Sequence, residues 1–351
     1  MAHAIGRWAG TTHNDVCCAV QPACDNFRGR GRAGLSALIQ GDKFSKTWFF
    51  SKYAPEYFLQ QYGIVADQSV DATLDASGFA YGDQWGRAKT EELLTNARKW
   101  KKQGRKIILL PQSVGTFNDQ AIADNFKKAC DNIDYIFPRD KISVESMKHL
   151  DVQVPFERSP DFTILAPALT CYQYREYHGA TWLIPNVMIL EKGSDLHRAN
   201  YLEFFRIVIA NLLARGERPV VLAHSQGDRE LSRTIAGNKV PLVTEKDPLM
   251  IKGLISNGRL VVGSRYHAIV SALCSLVPAV GVGWSHKYSC LFSDFGITDL
   301  LLQPILSNQK IDEAITKALE CPTTAKSLER GRDEYGQKTT AMWNCVEQVL
   351  F

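Results

Sequence analysis

Leu260-Val-Val-Gly-Ser-Arg-Tyr-His-Ala-Ile-Val-Ser-Ala-Leu-Cys274 holds a short apolar run, a polar turn and a longer apolar run. The first run, 260–263, is β-branched and stops at Gly263, as a strand buried on both faces does. The second, 266–275, is too long for another strand and reads as a helix set into a core. A new apolar run, AVGVG at 279–283, follows at once. Strand, turn, helix and strand at this spacing make the unit of a parallel sheet. The same alternation continues outward. Toward the N-terminus come a strand at 242–244 with a helix at 248–257, and a strand at 219–223 (PVVLA) with a helix at 228–236. A strand at 182–189, broken by Pro185, precedes a helix at 200–215 closed by Gly216. Before these, 151–177 is irregular, with Pro155, Pro160 and Pro167, as a domain boundary would be. A first αβ set lies ahead of it: strands at 70–76, 106–110 and 133–137, and helices at 87–103, 119–130 and 140–150. Helices at 311–319 and 327–350 end the chain, and the first forty residues show little pattern. The expectation is an α/β protein of two Rossmann-like domains facing a cleft, 1–160 and 161–325.

Composition bounds the function. With 351 residues, 45% hydrophobic and 22% charged, the chain has an ordinary globular balance, too apolar for a disordered protein. No run approaches the roughly 18 apolar residues of a membrane span, and Gly6, Arg7 and Trp8 stand where a secretory signal would carry an apolar core. Forty-one Lys and Arg against 37 Asp and Glu leave a net +4, with no long basic run, so no nucleic-acid partner is expected. The nine cysteines, Cys24 and Cys171 among them, form no Cys-x-x-Cys pair. Scattered thiols suit a reducing compartment, so the cytoplasm is the expected location.

Open parallel sheets bind ligands where their strands end, which directs attention to the strand-end turns. After 260–263, Ser264, Arg265 and His267 open a helix, where free N–H groups and the helix dipole favour an anion. Arg265 adds a fork for phosphate or carboxylate, and His267 a titratable proton. The alternative is a surface ion pair for Arg265 and a quietly packed His267. A positive helix end repels an arginine unless an anion is present, which favours the anion reading. After 279–283 come Trp284, His286 and Lys287; after 133–137 comes Arg139, which could instead belong to a local cap through Asp140. The loop after 70–76 sets Ser77, Tyr81, Asp83 and Gln84 among glycines and aromatics, a composition that grips sugars or simply packs a tight turn. Ala223-His224-Ser225-Gln226-Gly227 is placed like a hydrolase nucleophile elbow. Its first position is Ala rather than Gly, and the charged Asp228-Arg229-Glu230 follows. A hydrolase is therefore disfavoured, while His224 and Asp228 remain candidates to line a cleft, as does His286. No phosphate loop, zinc-protease motif or Gly-x-Gly-x-x-Gly after a strand is present, so neither nucleotide hydrolysis, nor a bound NAD, nor a metal is expected.

In order along the chain, LDASGFAYGDQWG (74–86), LLPQSVGTF (109–117), FPRDKISVES (137–146), LIPNVMI (183–189), AHSQGD (223–228), VVGSRYHAIVSAL (261–273) and VGVGWSHKYSCLFSDFGI (280–297) resemble the polysaccharide pyruvyltransferase family. The resemblance covers about 55–305, and 1–39 shows no match. It implies a fold similar to B-type glycosyltransferases, with a C-terminal helix, 326–351, packing back on the first domain. It also implies transfer of the pyruvyl unit of phosphoenolpyruvate, a co-substrate, onto two hydroxyls of a surface glycan or its lipid-linked precursor. Arg265, Arg139, Lys287 and Ser264 would then bind the donor, His267 would supply the proton, and Ser77, Tyr81, Asp83 and Gln84 would meet the acceptor. No cofactor is implied. A lipid-linked acceptor would bring the protein to the inner face of the membrane. The alternative is a nucleotide-sugar-dependent glycosyltransferase of the same fold, with Glu245 gripping a ribose.

Overall fold

The structure, a computed structural model, describes residues 1–22, 27–41, 45–169, 172–303 and 307–351; Cys24 and Cys171 lie outside the described residues. The chain divides into two units, Met1–Ala166 with Lys338–Phe351, and Pro167–Gln337. Each is an α/β body of parallel strands.

The first unit holds strands β1 (Ala19–Val20), β2 (Ser36–Ile39), β3 (Ile64–Ala66), β4 (Ala72–Asp75), β5 (Lys106–Gln112) and β6 (Tyr135–Pro138). They form two three-stranded parallel sheets, β1-β2-β3 and β4-β5-β6. β5 is buried along its length after Lys106, so its apolar run carries no alternation. Leu93, Ala97, Phe126 and Met147 cover one face through Ile107 and Leu109. Ile108 and Leu110 face a second cluster built from Ala4, Trp8, Phe162, Met342, Trp343 and Val346. The last three come from the long helix Pro322–Leu350. Trp8 stacks on Trp343 at 5.0 Å and also donates to Glu347 Oε1 at 3.1 Å.

The described part of the poorly patterned beginning carries secondary structure. Ala2–Thr11 is a helix that buries Ala4 and Trp8, too few apolar contacts to advertise themselves as a periodic face. Two short helices, Lys46–Tyr53 and Glu56–Gln61, join β2 to β3.

The second unit is a single six-stranded parallel sheet: β7 (Thr181–Ile184), β8 (Pro219–Ala223), β9 (Leu242–Thr244), β10 (Leu260–Gly263), β11 (Ala279–Val282) and β12 (Leu301–Leu302). Its order is β12-β11-β10-β7-β8-β9, the doubly wound order in which the winding direction reverses between β7 and β10. β7, β8, β10 and β11 are buried throughout. β7 and β10 run so close that a Cβ on Gly263 would sit 2.6 Å from the Ile184 carbonyl oxygen, so glycine is required there. The helix expected over 200–215 starts earlier, at Asp195, because Ser194 and His197 form a reciprocal capping box. Pro185 ends β7 at Ile184 rather than interrupting a longer strand.

Candidate active site

In the second unit the reversal point lies at the carboxyl ends of β7 and β10, and three strand ends are knotted there. Asp228, fully buried just beyond β8, accepts Arg265 Nη2 at 2.5 Å on Oδ1 and Arg265 Nε at 2.7 Å on Oδ2. It also accepts the Val187 backbone N–H at 3.0 Å and the Ser225 hydroxyl at 2.7 Å. Arg265 Nη2 reaches the Ser225 oxygen as well, at 2.9 Å. The segments after β7, β8 and β10 are thus held by one carboxylate. The anion that the helix end required is, in part, the protein's own. The Arg265 side chain keeps 24% of its surface exposed. Ser225 has its hydroxyl turned to Asp228, not to an imidazole, which is not the arrangement of a hydrolase nucleophile.

Ser264, expected to meet the donor, is completely buried. Its hydroxyl bonds the phenol of Tyr201, and its carbonyl accepts from Asn186 Nδ2 at 2.9 Å and from the Tyr288 hydroxyl at 2.7 Å. Asn186, Tyr201 and Tyr288 were not singled out in the sequence. Nothing local marks Tyr201 or Tyr288, because the partners of their hydroxyls lie 63 and 24 residues away.

His267 opens the helix Tyr266–Cys274 beside this knot. Half-buried His224, next to Ala223 at the end of β8, is pushed down to about 4, chiefly by desolvation and then by the neighbouring His267 and Arg265, while Asp228 opposes the shift. His224, His267, Arg265 and Asp228 therefore share one electrostatic neighbourhood. The turn after β11 joins it through aromatic rings. The Lys287 ammonium sits 5.2 Å from the Trp284 ring, 5.3 Å from Tyr266 and 5.5 Å from Tyr288. Tyr266 in turn packs edge-on against both His267 and Tyr288, at 5.8 Å each. The ring face of an aromatic attracts a cation without cancelling its charge. His197 Nε2, 3.1 Å from the Gly283 carbonyl, fixes the start of that turn, and His286 begins the next helix, half-buried. Glu245, the candidate ribose ligand, is engaged locally: it accepts from the Tyr174 hydroxyl at 3.0 Å and the Asp247 N–H at 2.9 Å.

The first unit has its own polar cluster at the ends of β4, β5 and β6. Asp75, the last residue of β4, collects Ser77 N–H at 2.8 Å and the hydroxyls of Ser77 and Tyr81. Gln112 Nε2 bridges to the Asp75 carbonyl at 3.1 Å. Burial first, and then the Asp75 charge, lift the Tyr81 phenol far above its usual range, so it stays a donor. Asp83 accepts Thr116 Oγ1 at 2.9 Å and Asn118 N–H at 2.9 Å on one oxygen, and Asp119 N–H at 3.2 Å on the other. Desolvation acts against it, yet the backbone donors of Asn118 and Asp119 hold it below the ordinary carboxylate range. Gln84 reaches the Gly115 carbonyl at 3.4 Å. Arg139 is buried: Nη1 is 3.2 Å from Asp161, and Nε and Nη2 contact Ser113 Oγ at 3.2 and 3.0 Å. Ser113 donates to Asp140 at 2.6 Å, so the local cap and the arginine belong to one network.

Comparison with known proteins agrees with this architecture. S. aureus MnaA, in a co-structure with UDP, superposes with a TM-score of 0.63 at 10% identity, covering 100% of this chain and 93% of that one. UDP-GlcNAc 2-epimerase from Neisseria meningitidis, bound to UDP-GlcNAc, gives 0.61 at 10% identity, covering 99% and 96%. The Methanocaldococcus jannaschii UDP-GlcNAc 2-epimerase gives 0.59 at 12% identity, covering 93% of each. At such identities the likeness concerns the fold alone. No curated protein sequence matches the chain. The sequence model of polysaccharide pyruvyl transferases matches residues 14–286, starting well ahead of the motifs and taking in much of the stretch over 1–39 that had shown no match. By that match, over most of its length, the chain belongs to the polysaccharide pyruvyl transferase family, a family of transferases.

Proposed function

We propose that the protein transfers the pyruvyl group of phosphoenolpyruvate onto two hydroxyls of a sugar in a surface polysaccharide or its lipid-linked precursor. The observation that carries this reading is the meeting of Arg265, His267 and Lys287 at neighbouring strand ends of the doubly wound sheet. The donor bears a phosphate and a carboxylate. Arg265, fixed by Asp228 through Nε and Nη2, presents the remainder of its fork to one anionic group, and Lys287 supplies a second positive charge. His267 gives a proton to the methylene carbon. The adjacent carbon becomes electrophilic; a sugar hydroxyl adds to it and its proton restores His267; phosphate leaves with the C–O bond electrons, and the second hydroxyl closes the ketal, its proton passing to the phosphate. Ser264 shapes the turn through its backbone and its contact with Tyr201. His224, held neutral, neighbours the proton donor, and His286 starts the helix after the adjacent strand β11. In the first unit, Ser77, Tyr81, Asp83 and Gln84 meet the acceptor sugar; Arg139, expected among the donor ligands, is buried against Asp161 and Ser113 and instead supports their loop, where a Cβ added to Gly78 would lie 3.7 Å from its Nη1.

Phosphate release from phosphoenolpyruvate, measured over a panel of glycosides, tests the reading directly. Replacement His267→Asn should lower turnover by roughly 10²–10⁴-fold with donor affinity nearly intact. Weakened donor binding with unchanged saturated turnover would place the proton elsewhere, and UDP release from a nucleotide sugar without phosphate release would refute the reaction.

A further inference from the structure

Between β2 and β3 the first unit carries a surface unlike any other among the described residues. Phe49, Phe50, Tyr53, Tyr57, Phe58 and Tyr62 are all exposed, from 36% to 73%, within fourteen residues. The rings pack in two groups: Phe49 lies 5.0 Å from half-buried Trp48 and 6.0 Å from Tyr53, and Phe58 bridges Phe50 at 6.3 Å and Tyr62 at 4.7 Å. Leu59, the aliphatic residue of Glu56–Gln61, is turned inward, at 6% exposure. The patch is thus aromatic, not aliphatic. Other exposed large apolar residues among those described are mostly scattered singly, which is normal for a surface.

The charges around the rings are positive. Lys46 and Lys52 are exposed, and the Lys52 ammonium lies 4.8 Å from the Trp48 ring and 5.3 Å from the Tyr53 ring. Glu56 is the sole acid between Ser45 and Tyr62. The other connection of this sheet, β1 to β2, is the helix Phe27–Arg32, sequence FRGRGR, with Phe27 76% exposed. Parallel strands in the order β1-β2-β3 need crossover connections, and the right hand that such crossovers generally take sets both on one face. Trp, Tyr and Phe with Lys and Arg, on short helices that present rings outward, is the composition that settles at the headgroup level of a bilayer.

We infer that the segment over 45–62, supported by the basic helix Phe27–Arg32, is a docking surface for an anionic lipid membrane. No helix among the described residues is long and apolar enough to cross a bilayer, so attachment by this patch is peripheral. The rings enter the interface and the cations meet anionic headgroups, so binding needs both. The inference does not rest on the proposed reaction: a vesicle assay reads it whether or not phosphoenolpyruvate is the donor.

Flotation of the full chain with vesicles tests it, using phosphatidylcholine alone and phosphatidylcholine with about 30% phosphatidylglycerol. The protein should float with the anionic vesicles and largely stay behind with the neutral ones, and salt should weaken the binding. The triple replacement Phe49→Ser, Phe50→Ser and Tyr53→Ser should weaken it about a hundredfold. Lys46→Gln with Lys52→Gln should cost about fivefold per charge and flatten the salt dependence. These side chains lie at the surface, so the circular dichroism spectrum should keep its folded shape at the assay temperature, and phosphate release with a soluble glycoside should be unchanged. Failure of the unaltered chain to float, or equal flotation of the triple variant, would overturn the inference. So would a concentration-dependent dimer that the triple variant dissociates, since a second copy would then be the occupant.

Discussion

Asp228→Asn isolates the carboxylate that joins three strand ends. The change preserves shape, and Oδ1 can still accept the Val187 N–H. It removes the charge, and one of the two acceptor atoms becomes a donor facing Arg265 and Ser225. Breaking a buried ion pair by losing one partner costs about 3–5 kcal/mol. Here Arg265 retains 24% exposure, so water relieves part of its stranded charge, and about 2–3 kcal/mol is expected. For a unit the size of Pro167–Gln337 that corresponds to a fall in melting temperature of about 5–10 °C. The control is a double-mutant cycle with Arg265→Met. If the two residues act as a pair, the double replacement should melt close to the single Asp228→Asn and not at the sum of the two losses. His224 reports independently: Asp228 is the charge that raises its pKa, so the imidazole should titrate still lower in Asp228→Asn, by NMR. A melting temperature within about 2 °C of the unaltered protein, or losses that simply add, would refute the claim that this pair holds the turn.

His224 also ties stability to pH. Its folded value, about 4, lies below the ordinary 6.5, so the unfolded chain binds the extra proton first. The associated stability is complete above about pH 6.5 and is lost as pH falls toward 4, by up to about 3 kcal/mol; urea melts across that window should show a slope that His224→Gln removes. In the first unit, Trp343→Ala deletes the partner of Trp8 at 5.0 Å and of Phe162 at 5.8 Å. A loss of about 3–5 kcal/mol is expected by chemical denaturation, and an unshifted midpoint would mean that these residues do not anchor the long helix.

The strands legible in the sequence were those buried on both faces, because a continuous β-branched run bounded by Gly or Pro has few other readings. Lys106–Gln112, Pro219–Ala223 and Leu260–Gly263 are of this kind. Helix starts were legible where a side chain caps them, as Asp119, Asp140 and Asp247 do. What failed was local weakness: two-residue strands such as Ala19–Val20 and Leu301–Leu302 carry no period, and FRGRGR holds two glycines inside a helix. In the site, each strand-end cation could be named from its own turn. Its partner could not, since Asp228 and Arg265 stand 37 residues apart and meet only because the sheet places β7 between β8 and β10. Asp75 was hidden for the opposite reason: a carboxylate at a strand terminus looks like the end of an alternating pattern until three donors are seen to converge on it.

The two arginines that end strands share a design within their separate units. Arg139 follows β6 and is held by Asp161; Arg265 follows β10 and is held by Asp228. An arginine free in solvent loses much side-chain entropy when it grips a ligand. One already locked by an aspartate and a serine has lost it on folding, and Arg265, which unlike buried Arg139 keeps part of its surface exposed, meets a ligand at little further entropic cost. The same aspartate cancels much of the long-range attraction for an anion, so a site made only of such arginines would select by geometry more than by charge. Lys287 supplies a second cation beside it, its ammonium 5.2 Å from the Trp284 ring, 5.3 Å from Tyr266 and 5.5 Å from Tyr288. A planar donor bearing two anionic groups suits that division, with the fork of Arg265 setting orientation and the ammonium supplying attraction. A nucleotide sugar, with a base and a ribose to recognise, would instead call for an open carboxylate near the ends of the sheet. Glu245, the residue in the sequence position for that task, turns its oxygens back onto Tyr174 and its own chain.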